Sequence, residues 1–123
     1  MELQRLPDAE LEVMLIIWES GQSVNSEYLM DKLQGIKNWK RTTLLKLLER
    51  LCARGYLSCD RSGKVNLYSP LVSEKDYLEY ESKSFIKRLH HGSLRSLVAS
   101  LYDGNAISKE DLKEIEDMIK EVK

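Results

Sequence analysis

A chain of 123 residues, 42% hydrophobic and 32% charged, has room for one small folded domain plus an appendage, and its composition excludes intrinsic disorder. Its longest apolar run, Val13 to Trp18, is far too short to cross a bilayer and is bracketed by Glu12 and Glu19, which excludes a membrane span or secretory leader there and predicts a cytoplasmic protein. The net charge is −1, yet residues 1–36 carry two basic and seven acidic side chains, residues 37–54 carry six basic ones against Glu49 alone, and residues 103–123 return to −3, so a nearly neutral chain can still offer phosphates a basic face.

Pro7 and Asp8 open the first predicted helix, with Asp8 as its N-cap, and Leu11, Met14, Leu15 and Trp18 form one apolar stripe at helical spacing before Gly21 ends it. Asn25 or Ser23 caps a second helix, whose Leu29, Met30 and Leu33 face inward and which Gly35 stops. Trp39 precedes the stretch KRTTLLKLLERLCARG. There Leu44, Leu47, Leu48 and Leu51 make a core stripe, while Arg41, Thr42, Leu45, Lys46, Glu49 and Arg50 occupy the other side, and Gly55 ends the helix. Tyr56–Asp60 and Lys64–Ser69 read as two short strands around Arg61-Ser62-Gly63, a hairpin with a basic tip. Leu57 and Cys59 share one face of the first strand, Val65 and Leu67 one face of the second.

From Ser73 the pattern turns helical again. Ser73 and Asp76 stand at capping-box spacing, and Tyr77, Leu78, Phe85, Ile86 and Leu89 are the apolar positions. Gly92 breaks the run. Ser93 caps a helix bearing Leu94, Leu97, Val98, Leu101 and Tyr102, Asp103-Gly104-Asn105 is a turn, and Ser108 caps a last helix striped by Leu112, Ile115, Met118, Ile119 and Val122.

Three helices and a hairpin, with the third helix the most basic, is the order of a winged helix. The fold expected is mostly α with a small β-hairpin: a winged helix-turn-helix DNA-binding domain over residues 1–71 and a helical dimerisation arm over 72–123. The third helix enters the major groove. Lys40 and Arg41 reach phosphates, Thr42, Thr43, Lys46 and Arg50 project from the exposed side, Leu45 meets thymine methyl groups, and Arg61 and Lys64 bring the wing to the backbone. Three amphipathic helices cannot all bury their stripes in an extended arm, and each leucine or isoleucine buried is worth ~1.5–3 kcal/mol. A second copy of the chain is the expected remedy, packed through Tyr77, Phe85, Leu89, Leu97, Leu101, Leu112, Ile115 and Ile119. Such a dimer spaces two heads about one helical turn (~34 Å) or a multiple apart, matching a palindromic operator.

The same residues admit plainer readings. The basic helix and hairpin tip serve as solvated faces, Leu45 packs on a loop, or the C-terminal helices fold back into one monomeric core. A winged helix can also meet an acidic protein partner, and a ligand- or metal-released repressor would have His90 and His91 as its donors. Cys52 and Cys59 have neither CxxC spacing nor a histidine between them, so reduced structural thiols, no metal and no cofactor are expected. No glycine-rich phosphate loop, HExxH or nucleophile elbow is present, so no enzymatic activity is expected.

LPDAELEVMLIIW, a tryptophan just before the third helix, GYLSCDRSGKVNLYSPLVSEKDYLEYES, and GSLRSLVASL followed by ISKEDLKEIEDMI together resemble the BlaI/MecI/CopY penicillinase-repressor family over nearly the whole chain. The segment from Tyr68 to Tyr77 and the leading A-E-L-E-V-M are its most specific blocks. The resemblance implies a winged-helix homodimer that sits on double-stranded operator DNA and blocks resistance genes. It also implies a membrane-bound β-lactam sensor with a metalloprotease domain, which cuts the repressor in its dimerisation arm. This chain departs from the family at Trp39-Lys40-Arg41-Thr42-Thr43, where the family opens its recognition helix with Trp-Ser-Pro-Lys-Thr. Leu45 and Lys46 replace residues that are basic and small polar in the family, which implies a different operator. The family's cut lies between asparagine and phenylalanine, and the matching pair here is Ser100-Leu101. The cysteine cluster of the copper-responsive branch is missing from the tail EDMIKEVK, against copper sensing.

Overall fold

A computed structural model describes residues 3–122. Helices α1 (Asp8–Ser20), α2 (Ser26–Leu33) and α3 (Arg41–Ala53) are followed by strands β1 (Leu57–Asp60) and β2 (Leu67–Pro70), then by helices α4 (Glu74–His90), α5 (Leu94–Asp103) and α6 (Lys109–Glu121). The mostly helical chain with one small antiparallel hairpin is the architecture expected. It divides into two compact units, the first running through Glu81 and the second starting at Ser82. The boundary expected after residue 71 therefore moves into α4. The reason is Tyr77, whose ring is buried among the aromatic side chains of the first unit.

Helix α1 corrects two details of the sequence reading. Its N-cap is Pro7, without a side-chain cap, and Asp8 lies in the first turn, where with Glu10 it suits the positive end of the helix dipole. Its buried face is Glu10, Val13, Met14 and Ile17, while Leu15 is exposed and Leu11 and Trp18 are half-buried. Val13 to Trp18 is apolar all round, so tertiary packing chose the face and periodicity could not. Glu10 is tolerated inside because Arg54 donates to its Oε1 at 2.8 Å. Gly21, at φ +68°, ends the helix in the left-handed region.

Asn25 caps α2 by accepting from the Tyr28 N–H at 2.8 Å, and Leu29 and Leu33 face inward while Met30 is half-buried. Helix α3 buries Leu44, Leu47, Leu48 and Leu51, the stripe expected. In the hairpin Leu57 pairs with Pro70, Cys59 with Tyr68 and Asp60 with Leu67, and Val24 adds an antiparallel bridge to Tyr68. The second strand is shorter than expected and turned over. It starts at Leu67 instead of Lys64, it buries Tyr68, and Val65 and Leu67 are exposed. Asp60 accepts from both the N–H and the hydroxyl of Ser62, a local turn that competes with the ladder and leaves residues 61–66 as the wing loop.

The caps of the later helices follow the sequence reading. Ser73 accepts from the Asp76 N–H, Ser93 from the Ser96 N–H, and Ser108 with Asp111 completes a reciprocal capping box. The first unit holds the core. Val13, Met14, Ile17, Leu29, Leu44, Leu48 and Leu51 are wholly enclosed, and the Tyr77 ring lies 5.7 Å from those of both Trp18 and Tyr56. In the second unit His90 is the one buried residue among those described, its Nδ1 2.8 Å from the Ser96 hydroxyl.

Candidate nucleic-acid interface

Helix α3 turns its leucine stripe into the core, so geometry alone sends the remaining residues outward. Arg41, Thr42, Thr43, Leu45, Lys46, Glu49 and Arg50 are all exposed, with exposed Lys40 at the N-cap position. Lys40 makes no side-chain cap, and the first turn holds no acidic residue. A positively charged helix start that lacks its usual anion suits a ligand that brings one. Leu45 is 40% exposed on this face, leaving apolar surface open to a ligand. Lys46, Glu49, Arg50 and Ala53 line a shallow groove of about 350 Å³ along the helix.

Two arginines bond within the protein, one of them while keeping its outward exposure. Arg41 Nη2 donates to the Ser26 hydroxyl at 2.9 Å, tying the start of α3 to the first turn of α2. Arg54 donates through Nε to Glu10 and through Nη1 to Gln4, both at 2.8 Å, which removes it from the outward basic face. Ser26 is a contributor that the sequence reading missed. The cap at Asn25 locates the start of α2, but only the crossing of α2 and α3 brings residues 26 and 41 together.

Arg61 and Lys64 are exposed on the wing. The hydrogen bonds from Ser62, its hydroxyl first and its backbone N–H second, hold the Asp60 carboxyl below the usual carboxylate range. The wing turn is therefore intact at neutral pH and loosens only as pH falls through that depressed value. Burial pushes the Cys52 thiol up, with Cys59 adding to this and Arg61 opposing it, so Cys52 stays a protonated, unreactive thiol at neutral pH. Both cysteines are free and half-buried.

The residues expected to pack a second copy divide. Tyr77 does not face outward: it is 2% exposed and its hydroxyl oxygen accepts from the Leu6 N–H at 2.9 Å. In the second unit Phe85, Leu89, Leu101 and Ile119 are exposed, and Leu97, Leu112 and Ile115 are half-buried. Leu94, Val98, Ala99, Tyr102 and Leu112 line an apolar groove of about 500 Å³ there. Ser100 and Leu101 are both exposed but lie inside α5, where the Ser100 carbonyl accepts from Gly104 and the Leu101 carbonyl from Ala106. His90 is already engaged with Ser96, and no group of three or more potential metal ligands occurs among the described residues. No helix described is long and apolar enough to cross a membrane.

A family model for the penicillinase repressor matches residues 6–121. The penicillinase repressor of Bacillus licheniformis is 33% identical over 122 residues, covering 99% of this chain and 94% of that protein. The methicillin resistance regulatory protein MecI of Staphylococcus aureus (strain N315) is 28% identical over 114 residues, covering 93% and 92%. Among solved structures, the DNA-binding domain of the repressor BlaI in solution superposes with a TM-score of 0.54 at 34% identity, covering 62% of this chain and 92% of that one. The monomeric form of Bacillus licheniformis BlaI in complex with the blaP half-operator superposes with a TM-score of 0.53 at 33% identity, with the same coverage. The winged-helix reading of the first unit is thereby borne out, and the chain belongs to the penicillinase repressor family.

Proposed function

We propose that this protein is a transcriptional repressor that holds palindromic operator DNA as a homodimer in the cytoplasm and regulates β-lactam resistance genes. The observation that carries the reading is the outward face of α3. Lys40, Thr42, Thr43, Leu45, Lys46 and Arg50 stand free on a helix whose ~10–12 Å width fits a major groove, in a head one-third identical to one solved on a half-operator. Lys40, Arg41, Arg61 and Lys64 serve as phosphate contacts, and Thr42, Thr43, Leu45, Lys46 and Arg50 as base contacts. The apolar residues of α5 and α6 that the second unit leaves uncovered, with Phe85 and Leu89, supply the dimer contact. Induction is by a membrane β-lactam sensor-protease that cuts at Ser100-Leu101 and separates the heads. That bond is closed into helical hydrogen bonds, so cutting it requires α5 to open locally.

A gel-shift titration against the DNA upstream of its own gene, with scrambled duplex as competitor, tests the reading. A cooperative shift that survives the competitor supports it, and a shift that the competitor abolishes overturns it. Lys46→Ala and Arg50→Ala are each expected to weaken operator binding by ~1–3 kcal/mol and to relax preference at one base position. An unchanged binding isotherm for either removes that residue from the reading set. Arg61→Ala is expected to weaken specific and scrambled duplex alike and to flatten the salt slope by about one unit. A loss confined to one sequence would contradict its phosphate role.

A further inference from the structure

The chain between Leu3 and Pro7 makes no helix or strand, yet each of its central residues is fastened to a distant part of the first unit. The Gln4 side chain accepts from Arg54, just past the end of α3, and the Gln4 carbonyl accepts from the hydroxyl of Tyr56, just before β1. The Leu6 side chain is buried and its N–H donates to the Tyr77 hydroxyl on α4, while Arg5 reaches Glu81 one turn further along the same helix at 3.7 Å. Within the first unit no helix or strand packs extensively along α4, and its beginning is held by these contacts together with the rings of Trp18 and Tyr56 around Tyr77 and the bond from the Trp18 indole N–H to the Val72 carbonyl. Burial first, with Glu81 beside it, keeps the Tyr77 hydroxyl protonated, so its oxygen stays a neutral acceptor for Leu6 at any physiological pH.

Resting on the two-headed reading above, we infer that Gln4, Arg5, Leu6 and Tyr77 are positioning residues for operator binding. The strap they form locks the root of α4 to the end of the recognition helix, and thereby sets which half-site spacing the dimer accepts. A satisfied bonded network of this kind adds rigidity to that of the packed rings. The strap touches no face assigned to DNA, so its effect appears only when two heads must bind at once.

The test uses the full chain and a palindromic duplex that it selects from a random pool. Companion duplexes have one half-site scrambled, or one base pair inserted at the dyad, which rotates the half-sites by ~34° and separates them by ~3.4 Å. The wild type should prefer the palindrome to the half-site duplex by about a hundredfold and lose about tenfold on insertion. Tyr77→Phe keeps the ring and removes the acceptor. It should bind the half-site duplex within about twofold of wild type, bind the palindrome about tenfold more weakly, and discriminate the inserted base pair by less than about threefold. Undiminished spacing discrimination, or an equal loss on half-site and palindrome, would overturn the proposal. Should Tyr77→Phe fail to fold, the surface variant Gln4→Ala/Arg5→Ala is expected to give the same pattern and is judged by the same outcomes. A wild type that does not distinguish palindrome from half-site overturns the two-headed reading together with the strap. A wild type that does, paired with a variant that behaves like it, overturns the strap alone.

Discussion

Replacing Ile115 by aspartate should break the proposed dimer into monomers and cost ~10²–10⁴ in affinity for the proposed palindromic operator. Ile115 is half-buried on α6, between Leu112, also half-buried, and the exposed Ile119. A helix with that much apolar surface gains by pairing, and a carboxylate in the middle of the pair would be desolvated without a partner. The α6 positions nearby are already acidic at Glu114, Glu116 and Asp117, and Lys113 is itself paired with Glu116 and Asp117. Two heads on one arm bind at high effective concentration, and separated heads lose that advantage while keeping their half-site affinity. Light scattering with a chromatographic column reads the mass, and gel shifts on full and half operators read the affinity. A dimer that survives the substitution would disprove this packing.

Leu48→Ala is expected to destabilise the first unit by ~2–5 kcal/mol. Leu48 is fully enclosed at the centre of α3, the helix that packs on α1, α2 and β1. Its removal leaves a cavity that three neighbouring elements cannot all close. Against a total stability of ~5–15 kcal/mol the loss is large, and for a unit of this size it lowers the melting temperature by roughly 10 °C or more. Specific DNA binding should fall in step with the folded fraction at assay temperature, since the exposed face of α3 is held by its buried one. A melting temperature within a degree of wild type would mean that α3 is not seated as described.

Where the sequence carried a local, physically unambiguous signal, it could be read. The leucines of α3 alternate with polar residues at helical spacing, so which face is buried follows directly, and the serines at 73, 93 and 108 announce the helices they cap. Helix α1 was misread because Val13 to Trp18 is apolar on every side, and the decisive residue is the charged Glu10, buried only because Arg54 comes from 44 positions away. The strand β2 was read too long because the Asp60–Ser62 turn, which shortens it, has no apolar signature. The outward residues of α3 were legible as a set. That Arg54 is spent internally, that Arg41 bonds Ser26, and that Tyr77 belongs to the head are properties of crossings between distant segments, which no window of sequence contains.

The uneven distribution of buried side chains gives this molecule two different kinds of stability. Residues through Glu81 enclose a core of their own, and from Ser82 onward only His90 is buried among the described residues. The head should therefore melt at a temperature that does not depend on how much protein is in the tube. The arm, in the proposed dimer, should melt at a temperature that rises with concentration, because mass action supplies what its own packing lacks. No single unfolding free energy describes such a chain. In a cell the proposed dimer would then have a threshold: dilution below the dissociation constant of the arm would disarm the repressor while every reading head remains folded.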